Sequence, residues 1–317
     1  MPSVVSVLAS LRALVSLGFD LRRLVAGRGA ASADDPRTAE VLARAGEARG
    51  AGRREEAGRL YRQALDQRRG HPGALRGLRE LAVEAGEWAA ALDAQQQLCG
   101  TVGPDERARE AHWLAVIYYE LGRVGLALGH TGEALAHFRS ALRADRDFVP
   151  AAVALGDAHE TLGEHREAVR AWERAAEAVP ALPLLARLER NYRQEGRPSR
   201  MIALYRDALE RTPDDLALAV ALGRVYFDLE MLDEAADQFE KVEVRAPDLP
   251  AVHAYLGAVF ERRGETAAAF DEYRRALALG HGFEWPHRCE ACGSTVSTWQ
   301  DRCERCRRWN TLRPTRG

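Results

Sequence analysis

A pattern of small and aromatic residues recurs along residues 38–283. A small residue is followed four positions later by an aromatic residue and, after three more, usually by alanine. The copies are Ala57/Tyr61/Ala64, Ala134/Phe138/Ala141, Ala168/Trp172/Ala175, Met201/Tyr205/Ala208, Ala235/Phe239/Val242 and Ala269/Tyr273/Ala276. This spacing places the three side chains on one face of a helix. A glycine upstream of most copies suits a turn between two helices, so the pattern predicts a series of helical hairpins.

Counted from these positions, seven units begin near residues 38, 72, 115, 149, 182, 216 and 250. The period is close to 34 residues except between 72 and 115, where the extra residues indicate either a longer loop or an extended helix. This array resembles the tetratricopeptide repeat. Each hairpin of such an array buries its apolar face against the next, so the resemblance implies an all-α superhelical solenoid over residues 38–283.

In this repeat family the first helix of each unit lines a groove that holds partners. Projection of the repeat positions puts seven charged residues near that groove: Asp157, Glu160, Arg190, Arg193, Arg224, Asp228 and Arg262. Their mixed signs suit an extended polar partner, and ordinary solvated surface charge is the alternative. The residues are a hypothesis for a partner-binding groove.

We expect no enzyme, because the motifs of common catalytic sites are missing from the sequence. There is no glycine-rich loop followed by Lys-Ser/Thr and no Gly-x-Ser-x-Gly elbow. His159, Glu160 and His165 superficially resemble a zinc-protease motif. Their spacing puts the two imidazoles on opposite helix faces, however, so His159 is interpreted as a packing residue.

Residues 1–30 form an amphipathic pattern, and residues 31–37 read as a linker. Arg12, Asp20, Arg22 and Arg23 interrupt the apolar run, which is therefore too short to span a bilayer. The segment could lie on a membrane surface or pack on the first repeat. It carries four Arg against one Asp, a charge of +3, and residues 285–317 carry seven Arg against three acids, a charge of +4. Because the net charge of the whole chain is −2, the residues between these two ends carry −9.

Residues 284–317 contain four of the five cysteines, spaced as Cys289-x2-Cys292 and Cys303-x2-Cys306. Two such turns facing each other can complete a tetrahedron of thiolates around one iron or zinc ion. A module this small buries too little apolar area to fold alone, so the metal supplies much of its folding free energy. Four protein ligands leave no open position for catalysis, and we expect a structural role.

Two families share this ribbon. The cysteines with Trp299, Trp309 and the following Asn-Thr resemble the zinc ribbon of RadA-type DNA-repair ATPases, whose nucleotide-binding domain has no counterpart after it here. The order of repeats, short linker and terminal ribbon resembles the lipopolysaccharide assembly protein B family instead, over nearly the whole chain. Ser294 and Glu304 replace that family's aromatic residue and proline, so the choice between iron and zinc stays open.

The second resemblance implies a non-catalytic adaptor with a rubredoxin-like ribbon at the cytoplasmic face of the inner membrane. Such an adaptor binds the lipid A deacetylase LpxC and promotes its degradation by the membrane protease FtsH. The alternatives are a general repeat scaffold for another envelope or chaperone complex, and a rubredoxin-type electron carrier. We do not expect nucleic-acid binding, because Trp299 and Trp309 are predicted to pack the ribbon against the last repeat.

Overall fold

The computed structural model describes residues 35–280 and 286–315 of the 317-residue chain. The first six helices of the described chain are α1 Pro36–Gly50, α2 Arg54–Gln67, α3 Pro72–Ala85, α4 Trp88–Cys99, α5 Pro104–Ala127 and α6 Thr131–Ala144. The next eight are α7 Val149–Thr161, α8 His165–Ala178, α9 Leu182–Gln194, α10 Pro198–Arg211, α11 Leu216–Asp228, α12 Leu232–Arg245, α13 Pro250–Arg263 and α14 Thr266–Leu279. The prediction for residues 1–30 lies outside the described residues.

The helices pair in chain order, and the pairs are called repeats one to seven. The chain divides into two compact parts, and the boundary between Leu81 and Ala82 lies inside α3. In the first part, α1 and α2 bury an alanine-rich core that includes Ala45, Ala57 and Tyr61. Small side chains at these positions let the two helix axes approach closely.

In the second part, the first helices of repeats four to seven begin within a residue of the predicted starts. Repeat three differs, because α5 begins at Pro104 and runs for 24 residues. Proline in the first turn, with Asp105 and Glu106 beside it, favours a helix start there. The extra residues before position 115 are therefore an extended helix and not a longer loop.

In repeats three, four, six and seven, the aromatic residue of the second helix packs on a glycine of the first helix. A Cβ atom added at Gly156 would lie 2.0 Å from the indole nitrogen of Trp172, and one added at Gly122 would lie 2.4 Å from Phe138. The same aromatic position also contacts the next repeat, since Phe239 stacks on Tyr255 with ring centroids 5.0 Å apart. Glycine is thus required where an aromatic ring joins two helices.

The chain ends in a three-stranded antiparallel sheet of order β2-β1-β3. Its strands are β1 His287–Cys289, β2 Thr295–Val296 and β3 Leu312–Pro314. Cys289 pairs with Leu312 in the register of β1 and β3. The fold is an all-α tetratricopeptide-repeat solenoid with a C-terminal four-cysteine ribbon, as the sequence predicts. Among the described residues, no helix has the length and apolar character needed to cross a membrane.

Candidate metal centre and partner-binding groove

The four cysteines sit in two tight turns of the ribbon. The amide of Gly293 donates to the carbonyl of Cys289 at 2.8 Å, and the amide of Arg307 donates to the carbonyl of Cys303 at 2.9 Å. Each turn needs a left-handed residue after its second cysteine, and φ is 72° at Gly293 and 60° at Arg307. Glycine adopts this conformation without steric cost, whereas arginine is strained there.

The two turns bring all four sulfur atoms within 4.8 Å of one another. The Sγ atoms of Cys289 and Cys306 are 3.6 Å apart, and those of Cys292 and Cys303 are 3.7 Å apart. Ligands at about 2.3 Å from a tetrahedral ion are separated by ~3.8 Å, so these distances fit one metal ion. Zinc and iron both accept four thiolates, and the four cysteines would hold either.

The thiols have different acidities. The backbone amide of Cys306 and the hydroxyl of Ser294 donate to the sulfur of Cys303 and lower its pKa to about 6. Burial and the contacts with the other three sulfurs raise the pKa of Cys306 to about 12. Four adjacent thiolates repel one another, so the set is fully deprotonated only around a cation that compensates their charge.

Two hydroxyl groups contact the sulfur atoms from outside the ligand set. The Ser294 hydroxyl lies 3.2 Å from the sulfur of Cys292 and 3.3 Å from that of Cys303. The Thr311 hydroxyl lies 3.2 Å from the sulfur of Cys289. The Thr311 hydroxyl donates to the carbonyl of Arg308 at 3.3 Å. When the cysteines are ionised, the Ser294 hydroxyl can donate to sulfur and orient the ligands. Ser294 thus has a role in the position where the resembling family has an aromatic residue.

Trp309 attaches the ribbon to the repeats. Its ring is 4% exposed and meets Trp88 of α4 and Trp113 of α5 edge to face, with both centroid distances 6.3 Å. Its indole N–H donates to the carboxylate of Glu120 at 2.7 Å, and the Arg302 guanidinium covers the ring at 3.9 Å. The prediction that Trp309 packs against the last repeat is wrong, because its contacts are with repeats two and three.

A second set of contacts joins the ribbon to repeats three and four. The Tyr119 hydroxyl donates to Asp301 at 2.7 Å, and the Asn310 amide donates to the carbonyl of Asp147 at 3.1 Å. Burial, followed by the charge of Asp301, raises the pKa of Tyr119 well above its usual value. Trp299 and Asp301 line a cavity of about 660 Å³ together with Arg123 of α5 and Asp157 of α7. This cavity has walls from both the ribbon and the repeats.

The predicted groove residues lie on the first helices of repeats four to seven and mostly pair across neighbouring repeats. Asp157 accepts two hydrogen bonds from Arg187, at 2.5 and 2.7 Å, and Glu160 accepts two from Arg190, at 2.9 and 2.7 Å. Arg262 contacts Glu230. These ion pairs join neighbouring repeats. These residues are paired surface charges, and their part in a partner-binding groove stays a prediction.

Repeats five and six share the most buried part of this network. Arg193 donates to Asp228 at 2.7 Å, and Arg224 donates to both oxygens of Glu189, at 3.0 and 2.5 Å. Burial alone would raise the pKa of Glu189, but the hydrogen bonds and charge of Arg224 lower it below its usual value. The Tyr205 hydroxyl also donates to Glu189, at 2.7 Å.

Sequence reasoning missed Arg187, Glu189 and Glu230, which complete these pairs. The spacing of 30 to 35 residues between partners, close to the repeat period, is the signal that could have identified them. It also missed Trp88, Trp113 and Glu120 as the contacts of Trp309. Both tryptophans lie outside the aromatic position of the repeat pattern. A large aromatic residue that the repeat pattern does not require is the signal that could have identified them.

Family models match the repeats and the ribbon. A model described as a rubredoxin metal-binding domain, the zinc ribbon of the lipopolysaccharide assembly protein B type, covers residues 287–314. Two tetratricopeptide-repeat models cover residues 119–183 and 192–259. Among solved structures, YrrB, a tetratricopeptide-repeat protein with an unusual peptide-binding site, is 20% identical with a TM-score of 0.38 and aligns 52% of this chain with 86% of its own. MamA from Desulfovibrio magneticus RS-1 is 20% identical with a TM-score of 0.39 and aligns 52% of this chain with 94% of its own.

Among curated proteins, lipopolysaccharide assembly protein B of Escherichia coli K12 is 24% identical over 279 residues, which are 84% of this chain and 68% of that protein. The same protein from Escherichia coli O157:H7 matches with the same identity and coverage. The chain is therefore similar to lipopolysaccharide assembly protein B over most of its length, in agreement with the family resemblance of its sequence.

Proposed function

We propose that this protein is a non-catalytic adaptor in lipopolysaccharide assembly. It would bind the deacetylase LpxC and promote its proteolysis by FtsH at the cytoplasmic face of the inner membrane. The observation that carries the proposal is the joint presence of a repeat array and a metal ribbon that pack on each other. This arrangement supports an adaptor because each of the two modules contributes walls to the surface between them.

The groove charges support a partner that brings charges of both signs. Arg190, Arg193 and Arg262 are each about half exposed although each has an acidic neighbour. Half-exposed ion pairs contribute little to stability, so a partner could exchange with them at small cost. An incoming acidic side chain would bind the released arginine, and an incoming basic one would bind the released carboxylate.

The proposal is tested by capturing partners from a lysate of the source organism on the purified, metal-loaded chain. Recovery of LpxC or FtsH, identified by mass spectrometry, is the expected result. Arg190→Glu with Arg262→Glu should reduce recovery, whereas Arg166→Glu with Arg206→Glu, exposed residues of the second helices, should not. Recovery of neither LpxC nor FtsH would contradict the proposal and favour the general repeat scaffold.

Metal analysis of the same sample separates the adaptor from the electron carrier. Zinc has no redox chemistry, so stoichiometric zinc would exclude electron transfer through the four cysteines. Iron with a reversible one-electron couple, together with no recovered protein partner, would favour the electron carrier. Membrane fractionation of cells tests the proposed peripheral location, which predicts release of the protein by high salt.

A further inference from the structure

A pocket of about 200 Å³ lies between α6 and α8, the second helices of repeats three and four, and α7 also contributes to its lining. None of its lining residues belongs to the ribbon or to the predicted groove residues. Its walls are apolar and consist of Leu142, Leu155, Ala171, Ala175 and Ala178. Its remaining lining residues are polar and include four arginines, which are Arg139, Arg146, Arg170 and Arg174. An apolar pocket with several converging cations is the arrangement expected of a site for an anionic group.

The charge of the lining is strongly positive. Glu167 is the one carboxylate among the lining residues, and it pairs with Arg170 at 2.8 Å. Four arginines against one glutamate leave a charge of +3. Arg146 and Arg174 are exposed, and neither forms an ion pair with any described residue. The acids beside Arg146 do not line the pocket, and one of them, Asp145, accepts a hydrogen bond from His112 at 2.8 Å.

Arg139 is held toward the pocket by a chain of hydrogen bonds. Its guanidinium donates to Nε2 of His159 at 3.3 Å, and Nδ1 of His159 donates to Glu164 at 2.5 Å. This arrangement requires a neutral imidazole with its proton on Nδ1. His159 is 5% exposed and lies at the floor of the pocket, so its ring is fixed by packing. One cation of the pocket is therefore oriented before any ligand arrives.

We propose that this pocket binds a phosphate group, carried either by a soluble phosphate ester or by a lipid headgroup. A phosphate monoester has up to two negative charges and three terminal oxygens, which match several guanidinium groups in a fork geometry. The small volume and the concave shape suit one phosphate and not the continuous backbone of a nucleic acid. The site is separate from the groove and the ribbon, so it does not depend on the adaptor role.

The test measures binding of two probes to the full-length, metal-loaded chain. Pyrophosphate is titrated in a calorimeter, and vesicles of phosphatidylcholine with or without phosphatidic acid are used in flotation assays. The test variant is Arg146→Gln with Arg174→Gln, which loses no ion pair with described residues and should keep its thermal stability. The control is Arg166→Gln with Arg206→Gln, which removes the same charge from exposed positions outside the pocket.

The expected result is that at least one probe binds and that the test variant weakens this binding by about tenfold or more, while the control variant is unchanged. Binding of pyrophosphate with no effect of phosphatidic acid assigns the pocket to soluble esters, and the reverse assigns it to lipid headgroups. The proposal is overturned if neither probe binds, or if the control variant weakens binding as much as the test variant.

Discussion

The four-cysteine ribbon and the repeats that it contacts are stabilised by different means. The repeats bury large side chains completely, and Trp172, Tyr205 and Phe138 are each at most 1% exposed. The buried cluster of the ribbon contains Cys289, Cys303 and one aliphatic residue, Leu312. Burial of apolar area therefore accounts for the repeats, whereas the ribbon depends on metal ligation and on its contact with α4 and α5.

The largest expected effect comes from removing the metal ligands. Cys303→Ser with Cys306→Ser should unfold the ribbon and leave the repeats helical, because ligation contributes on the order of 10 kcal/mol to such a module. Circular dichroism and metal analysis on one sample check this. Complete loss of the helical signal would show that the repeats depend on the ribbon, contrary to this comparison.

Next in size is the loss of the aromatic contact between the two regions. Trp309→Ala should destabilise the protein by about 3–5 kcal/mol, because it removes a buried ring and leaves Glu120 without its indole donor. Trp309→Phe keeps most of the packing and should cost less. Chemical denaturation of both variants measures the difference in stability. Equal losses of stability would mean that packing of the ring contributes nothing beyond the hydrogen bond to Glu120.

A smaller effect compares one strained position in each region. Glu230 has φ of 58° at a turn where other repeats have glycine, and Arg307 has φ of 60° in the ribbon. Glu230→Gly and Arg307→Gly should each stabilise the chain by about 1 kcal/mol, since glycine accepts this conformation freely. The gain at position 230 should be the smaller of the two, because Glu230 also pairs with Arg262. If thermal melts show that both variants are destabilised, backbone strain at these two positions is contradicted.

The smallest expected effect is a pH dependence confined to the last two repeats. Nδ1 of His253 donates to Glu272 and Nε2 donates to the carbonyl of Pro247, both at 2.7 Å, so both ring nitrogens carry protons. Burial alone would lower the pKa of His253, but these bonds and the nearby carboxylates raise it. The resulting stability is complete below the unfolded pKa of about 6.5 and is lost as pH rises through the folded pKa.

His253→Gln should therefore destabilise the protein at low pH and have little effect at high pH. Melting temperatures of this variant and of the parent protein, measured across that range, test the sign. His165→Gln is the control, since His165 is exposed at the start of α8. A stability difference that grows with pH would contradict the assignment of a charged His253.

The sequence predicted the repeats and the metal ligands because both are local patterns. The positions of Trp172 and Gly156 recur with each repeat, and the cysteines of each turn are three residues apart. The site of ribbon docking was not predictable in this way. Trp309 meets Trp88 and Glu120 across about 190 to 220 residues, and nothing in the local pattern relates them. Pairs such as Arg224 with Glu189 were missed because the partners lie 35 residues apart, on the first helices of neighbouring repeats.

The central claim is that a metal-dependent ribbon is bound to repeats two to four. Hydrogen–deuterium exchange of the intact chain, with and without a chelator that removes the metal, tests it most directly. We expect chelation to increase exchange in the ribbon and around Glu120 and Asp147, while α12, α13 and α14 keep their protection. Increased exchange in α13 and α14, with none around Glu120, would contradict the account and place the ribbon against the last repeat.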